Sequence, residues 1–384
     1  MPGCGGLPLP SQPMEPALSQ IIERVRAASQ AATPHTLRIQ GGGSKDFHGL
    51  ALHGEALDVR PLQGIVDYEP SELVVTVRAG TPLAELEQAL AERGQALAFE
   101  PPHFADTGRQ ATVGGMVAAG LSGPARASVG AVRDYMLGIE ILNGKAELLR
   151  FGGQVMKNVA GYDVSRLMAG SWGTLGVITE VSLKVLPVAP GEATLRFDGI
   201  RQADALKQLN TWGGQPLPLS ASCWVQADGT ETLYVRLRGA TAAVDAACRS
   251  MGGTRLDNAS TAADWAACRE QQLPWFTQRA ADHCLWRLSV PQTAPELALP
   301  AGIAAPLVEW HGGLRWVQAP RNAGDALKAA ARAVGGNALL FRAEAALPIS
   351  GEPLFDPQNA AVQRIQKQLK AAFETEVQQT RQPL

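Results

Sequence analysis

Apolar residues at Leu18, Ile21, Ile22 and Val25 recur at three- and four-residue spacing, which predicts an amphipathic helix from Leu18 to Ala31. A short strand, Leu37 to Gln40, then runs into Gly41-Gly42-Gly43-Ser44-Lys45. Further strands are expected at 56–60 and 73–78, the second a Val-rich run ending in Ala79-Gly80. A helix follows, with Thr81 as its cap, Pro82 in its first turn, Leu83, Leu86 and Leu90 along one face and Gly94 as its stop. From Phe99 to Gly130 the periodicity weakens and small residues dominate. A long stretch of that kind inside a compact domain brings backbone close to something. Met136 to Leu142 and Lys145 to Phe151 read as a hairpin about a tight Asn143-Gly144 turn, and Val177 to Val185 alternates as a strand. Pro187 and Pro190 mark a boundary.

Beyond that boundary the rhythm changes. Strands at 193–197, 221–226 and 233–237 interleave with helical runs near 202–212 and 242–251. A second round follows, with strands at 284–290, 314–318 and 338–342 and a helix at 323–334. This order fits an antiparallel sheet with helices packed on one face, although no repeat of fixed short period is visible. A final helix spans Asn359 to Phe373 and is placed back against the first domain. The reading divides the chain into a flexible tail at 1–16, a first domain at 17–190, a second at 191–345 and a C-terminal helical segment at 346–384.

Composition narrows the function classes. With 384 residues, 46% hydrophobic and 18% charged, the chain folds rather than staying disordered. A net charge of −2 with no basic block removes the electrostatic basis for binding nucleic acid or anionic lipid. The five cysteines are widely spaced and never form a Cys-x-x-Cys pair, so neither an iron–sulfur nor a structural zinc site follows from them. No run approaches the roughly 20 apolar residues of a membrane span. Together with the absence of a signal-like start, this makes a reducing, cytoplasmic compartment the expectation, with any attachment to the inner face of the membrane coming through partners.

The strand-to-glycine transition at Gln40 to Lys45 is suited to cradling a diphosphate, because glycine lets backbone amides approach an anion and Lys45 adds a point charge. Taken alone, it reads equally well as an ordinary turn. A Gly-x-Gly-x-x-Gly followed by an acidic residue about 20 positions on is missing, which argues against a Rossmann site. Five segments in order say more: Arg38 to Lys45, Val75 to Gly80, Ala111 to Gly115, Lys157 to Asp163 and Gly170 to Glu180. Together they resemble the FAD-binding domain of the vanillyl-alcohol oxidase and p-cresol methylhydroxylase (VAO/PCMH) superfamily over about 17–188. The run Phe151 to Leu167 is closer still to the FAD-binding E-subunit family of bacterial glycolate oxidases.

That resemblance implies an α+β fold, a two-subdomain FAD-binding domain followed by an antiparallel-sheet, ferredoxin-like cap domain. It implies FAD contacts from Gln40, Gly41, Gly42, Gly43, Ser44 and Lys45 at the diphosphate, and from Pro101, Ala111, Thr112, Val113, Gly114, Gly115 and Met116 near the diphosphate and flavin. Gly161, Tyr162 and Asp163, with Gly173, Thr174, Gly176, Val177 and Ile178, would meet the ribityl and adenosine parts. The loop carries Ser44 and Lys45 where tethering relatives often have a histidine, so the FAD is expected to be non-covalent. No metal site is expected.

Oxidising a 2-hydroxy acid requires a cation on the carboxylate and a base near the hydroxyl. The catalytic residues are left open, with His103, after Pro101-Pro102, and Arg287, beside Trp286, as the candidates. Each also has an ordinary reading, as a satisfied loop histidine and a surface-paired arginine. The implied function is FAD-binding subunit of a glycolate oxidase complex, oxidising glycolate to glyoxylate beside a sister flavoprotein and passing electrons to an iron–sulfur subunit. A stand-alone 2-hydroxy-acid oxidase and a non-catalytic scaffold are the alternatives.

Overall fold

The computed structural model of the chain describes residues 15–31, 36–49, 52–153, 163–227, 229–343 and 359–373. The first helix, Pro16–Gln30, buries the apolar stripe its spacing announced, Leu18, Ile21, Ile22 and Val25. It packs beside two parallel strands, β1 (Leu37–Gln40) and β2 (Glu55–Asp58), whose Leu37 and Leu57 share its core. The chain continues through β3 (Ile65–Glu69), β4 (Val74–Arg78), the short β5 (Gln95–Ala96), β6 (Met136–Leu142), β7 (Leu148–Gly152), β8 (Val177–Lys184) and β9 (Leu186–Pro187). Five of these form an antiparallel sheet in the order β3-β4-β8-β6-β7. The central strands β4 and β8 are buried on both faces; β4 is a Val-rich run, whereas β8 alternates and buries Thr179, Glu180 and Ser182 among its apolar residues. Helix Leu83–Ala91 buries Leu83, Leu86 and Leu90 in the same core.

The second body is one eight-stranded antiparallel sheet built from β10 (Gly191–Asp198), β11 (Leu219–Ala227), β12 (Thr230–Gly239), β13 (Thr254–Arg255), β14 (His283–Ser289), β15 (Leu307–Glu309), β16 (Leu314–Pro320) and β17 (Asn337–Arg342). Its order is β13-β10-β12-β11-β15-β16-β14-β17. The first half is a complete ferredoxin-like unit, strand, helix 202–213, two strands, helix 241–251, strand. The second half repeats the strand order but has a loop, 290–306, in place of its first helix, and the halves join through β11 and β15. Alternation along the strands separates two cores. Trp286, Leu288, Val317 and Leu340 face helix Gly324–Ala333, whereas Leu285, Leu314, Trp316 and Phe341 face the first body.

Four expectations are corrected. Helix Asn258–Arg269 lies on the sheet face opposite helices 202–213, 241–251 and Gly324–Ala333, where Trp265 and Cys268 join the aromatic core beside the first body, so the helices are not all on one face. The stretch 99–130 contains a genuine helix, Val113–Ala119, capped by Thr112 and ended by Gly120 in the left-handed region. Thr81 does not cap its helix, because its hydroxyl is bonded to the backbone of Gly64. The turn after β6 is five residues long and not a tight Asn-Gly turn. Asn143 Oδ1 accepts from the amides of Lys145 and Glu147, and Ala146 takes the positive φ.

The two bodies are locked by polar contacts. Glu100 Oε2 accepts from Arg236 Nη2 at 2.8 Å and from the Ala125 amide at 3.1 Å, and Arg238 pairs with Oε1. Burial pushes the Glu100 carboxyl up, but the two guanidiniums outweigh it and hold the group below the usual carboxylate range. Helix Ala360–Phe373 reaches the first body, where Leu369 and Phe373 pack on its core and the Phe373 carbonyl accepts from Gly144 N at 3.0 Å. No helix among the described residues is long and apolar enough to cross a membrane.

Candidate flavin groove and interdomain cavity

The glycine run leaves β1 and turns across the N-terminus of the Val113–Ala119 segment. Between them lies a groove of about 710 Å³. Its walls bring together Gly41 to Lys45, Thr112, Gly114, Gly115, Gly173, Gly176 and Ile178 from the residues the sequence singled out. Glycine is obligatory at Gly42, where a Cβ would sit 1.4 Å from the Gln110 carbonyl oxygen. That glycine therefore serves the approach of two protein segments, and a bulky replacement there breaks the loop before it tests any ligand.

The amides of the second wall are already spent. Val113 N donates to Thr81 O at 2.9 Å, Gly114 N to Ala79 O at 2.7 Å, Gly115 N to Thr112 Oγ1 at 3.2 Å and Met116 N to Thr112 O at 2.8 Å. This wall offers shape and not donors. The charge comes from Lys45, which is buried at 7% exposure. Among the described residues its Nζ donates to Ser44 Oγ at 3.3 Å and the His103 carbonyl at 3.2 Å. Among the described residues no carboxylate lies within ion-pair distance. Burial lowers its pKa to about 8 against a partial pull from Glu270, whose oxygens are taken by the amides of His103 and Phe104 and by Arg269. A desolvated ammonium with no counterion, lining a glycine-walled groove, is chemically matched to a diphosphate.

Other site expectations fall elsewhere. Val113 and Met116 are buried in the core of the first body, and Val177 in the neighbouring one, and none lines the groove. Gln40 ends β1, where Arg38 reaches its side chain, and Ala111, Pro101 and Thr174 are buried outside the groove's lining. Asp163 caps helix Val164–Met168 and pairs with Arg166. Gly161 and Tyr162 lie outside the described residues. The His103 ring is bound to Glu87 Oε2 at 2.9 Å, so only its backbone faces the site. Sequence reasoning missed Gln110, Ala118 and Trp172, which also line the groove; Trp172 stands directly before the singled-out Gly173.

Beyond the groove an aromatic cluster joins the two bodies. His48 stacks on Trp172 at 4.4 Å and bonds the Phe341 carbonyl through Nδ1. Lys45 lies 5.6 Å from the ring of Phe104, which in turn lines an interdomain cavity of about 370 Å³ with Leu121, Arg287, Glu309, Trp316 and Phe341. Glu309 is fully engaged there, accepting from Trp316 Nε1 at 2.6 Å and Cys268 Sγ at 3.3 Å, and burial pushes its carboxyl up to about 7.

Residues 17–152 match the family described as FAD binding domain. The glycolate oxidase subunit GlcE of Escherichia coli is 43% identical over 350 residues, 91% of this chain and 92% of that one. The chain belongs to the GlcE family. As a GlcE-family member it carries FAD as its cofactor and is an FAD-dependent oxidoreductase. The glycolate oxidase subunit GlcD of Bacillus subtilis is 32% identical over 37% of this chain and 29% of its own length. Among solved structures, alkyldihydroxyacetonephosphate synthase superposes with a TM-score of 0.63 at 14% identity, covering 94% of this chain and 74% of that one, a likeness of fold. The GlcE-family fold is thus the α+β arrangement that the motifs implied.

Proposed function

We propose that this GlcE-family chain is the FAD-holding subunit of a glycolate oxidase complex that converts glycolate to glyoxylate, beside a sister flavoprotein, with electrons leaving through a separate iron–sulfur subunit. One observation carries the reading. The likeness to GlcE runs through both bodies, so it spans the interdomain cavity as well as the flavin groove. The shorter likeness to GlcD supports a sister flavoprotein sharing the cofactor-binding part. The cysteines form no Cys-x-x-Cys pair, which supports seeking the proposed iron–sulfur acceptor on another chain.

Bound FAD supplies the two-electron acceptor. The chain's own residues do the holding. The Lys45 ammonium neutralises the diphosphate, the walls at Thr112 to Gly115 and Gly173 to Ile178 set its path, and Phe104, Trp316 and Phe341 keep the adjoining cavity dry. With Ser44 and Lys45 in the loop the FAD is dissociable. We read the cofactor body as 17–190, the cap as 191–345 and 346–384 as a C-terminal segment whose helix Ala360–Phe373 returns to the first body.

The test is to purify the chain alone and with its partners, record the visible spectrum, and add glycolate without oxygen. The expected result is a yellow chain whose flavin leaves on denaturation and bleaches with glycolate in the complex. A chain that stays colourless after added FAD overturns the holding role, and a complex whose flavins ignore glycolate overturns the substrate.

A further inference from the structure

Outside the flavin groove, two arginines share one indole. The Arg126 guanidinium lies 4.4 Å and that of Arg287 5.1 Å from the centre of the Trp310 ring. Arg126 comes from the first body, Arg287 from β14, and Trp310 from the turn joining β15 to β16, so the group exists only where the bodies meet. Neither guanidinium has a hydrogen bond or ion pair within the described residues, whereas most other arginines near this interface do. Both line a solvent-open cleft of about 830 Å³ whose rim carries Ser289, Gln292 and Asn337. Arg287 and Trp310 also face the interdomain cavity beside Phe104, so they form the wall between that cavity and solvent.

The turn that presents Trp310 is strained. Trp310, His311 and Gly312 occupy the left-handed region in succession, at φ 54°, 53° and 101°. It is held there from both sides. Trp310 Nε1 donates to Gly123 O at 3.0 Å, and the His311 ring sits between the hydroxyls of Ser128 and Ser222 at 3.0 Å each. Burial lowers the Arg287 pKa to about 10, with Arg126 adding repulsion. Glu309, the carboxyl that acts on Arg287, is committed to Trp316 and Cys268. Asp134 acts on Arg126 as Glu309 does on Arg287, but among the described residues neither carboxylate forms an ion pair with its guanidinium, and a strained turn that keeps two such cations together is maintained against stability, as binding sites are.

We infer that Arg126 and Arg287, floored by Trp310, form a binding site for a small carboxylate at the mouth between the two bodies. Two guanidinium forks that border one indole and line one cleft suit a carboxylate, which accepts from both. This inference rests on the proposed oxidation of a hydroxy acid and names the side chains that hold its acid group.

Oxalate, which the flavin does not oxidise, is the probe. Calorimetric titration of the FAD-loaded chain is expected to show one oxalate site, weakened at least tenfold by Arg126→Met and by Arg287→Met and partly retained by Arg287→Lys. Without oxalate the Met variants should melt no lower than the parent, because each loses a repelling cation, and the rise in melting temperature caused by oxalate should vanish. Absent binding, undiminished binding in the Met variants, or Met variants that fold poorly or melt well below the parent overturn the site, the last by showing a structural role. Glycolate bleaching is read separately on the partnered complex. Oxalate binding without bleaching removes the glycolate reading and keeps this site, whereas bleaching with oxalate binding undiminished in the Met variants removes the site alone.

Discussion

Among the described residues lining the flavin groove Lys45 is buried and Asp46 half-buried, so replacing Lys45 by Met removes the buried charge. In the unliganded chain burial, partly opposed by Glu270, lowers its pKa from 10.5 to about 8, which at 1.36 kcal/mol per pH unit is a net penalty of about 3 kcal/mol on the ammonium. A diphosphate on Nζ gives the ammonium its counterion and returns its pKa towards or above the ordinary value. Binding FAD above pH 8 therefore takes up a proton, and affinity should be flat below pH 8 and fall about tenfold per pH unit above it. A charge-assisted hydrogen bond contributes about 1.5–3 kcal/mol, so Lys45→Met should weaken FAD roughly 10- to 150-fold at pH 7 and abolish the slope. The sign for stability is opposite. Between pH 8 and about 10.4 the unfolded chain binds the proton that folded Lys45 has lost, so the FAD-free parent should gain up to about 3 kcal/mol across that window. The Met variant should lack that gain. FAD titrations followed by flavin fluorescence from pH 7 to 10, with urea melts of the apoprotein, measure both. Equal FAD affinity in parent and variant, or an affinity in the parent that does not change up to pH 10, would refute the assignment of Lys45 to the diphosphate.

Two further outcomes follow from the packing. Glu100→Gln leaves the fully buried Arg236 without its carboxylate, and loss of one partner of such a pair costs about 3–5 kcal/mol, readable as a lowered denaturant midpoint. An unchanged midpoint would mean the interdomain lock contributes nothing. Gly42→Ala should lower the melting temperature of the FAD-free protein as well as the holoprotein, because the clash is with Gln110 and not with cofactor; a variant as stable as the parent without FAD would show that the loop yields there.

Much of this was legible because the chemistry was local. Strand and glycines adjoin at Gln40 to Lys45, and the amphipathic stripe of the first helix is complete within ten residues of Leu18. What escaped notice depends on distance or on weak patterning. Helix Asn258–Arg269 buries only Thr261, Trp265 and Cys268 as a narrow stripe in an Ala- and polar-rich run, too faint a signal for periodicity. Thr81 looked like a cap because capping residues and loop-bracing residues share one chemistry, and only the fold shows that Gly64 claims its hydroxyl. Arg287 drew attention beside Trp286, yet its relation to Arg126 joins positions 161 residues apart and appears only when β14 is laid against the first body. Lys45 was placed from sequence, but its missing counterion could not be.

The alternating faces of the cap sheet bear on how this protein can vary over generations. In β14, Trp286 and Leu288 are committed to the helix-covered core while Leu285 and Arg287 look towards the cofactor body. Inserting or deleting a single residue before Arg287 would exchange the two sets, sending a guanidinium into an oily interior and an indole into the cavity. Such a strand reads its sequence two letters at a time. Lineages of this fold should therefore tolerate length changes in connections such as 290–306 while almost never accepting an odd one within β14, a bias that a deep insertion–deletion scan would make visible.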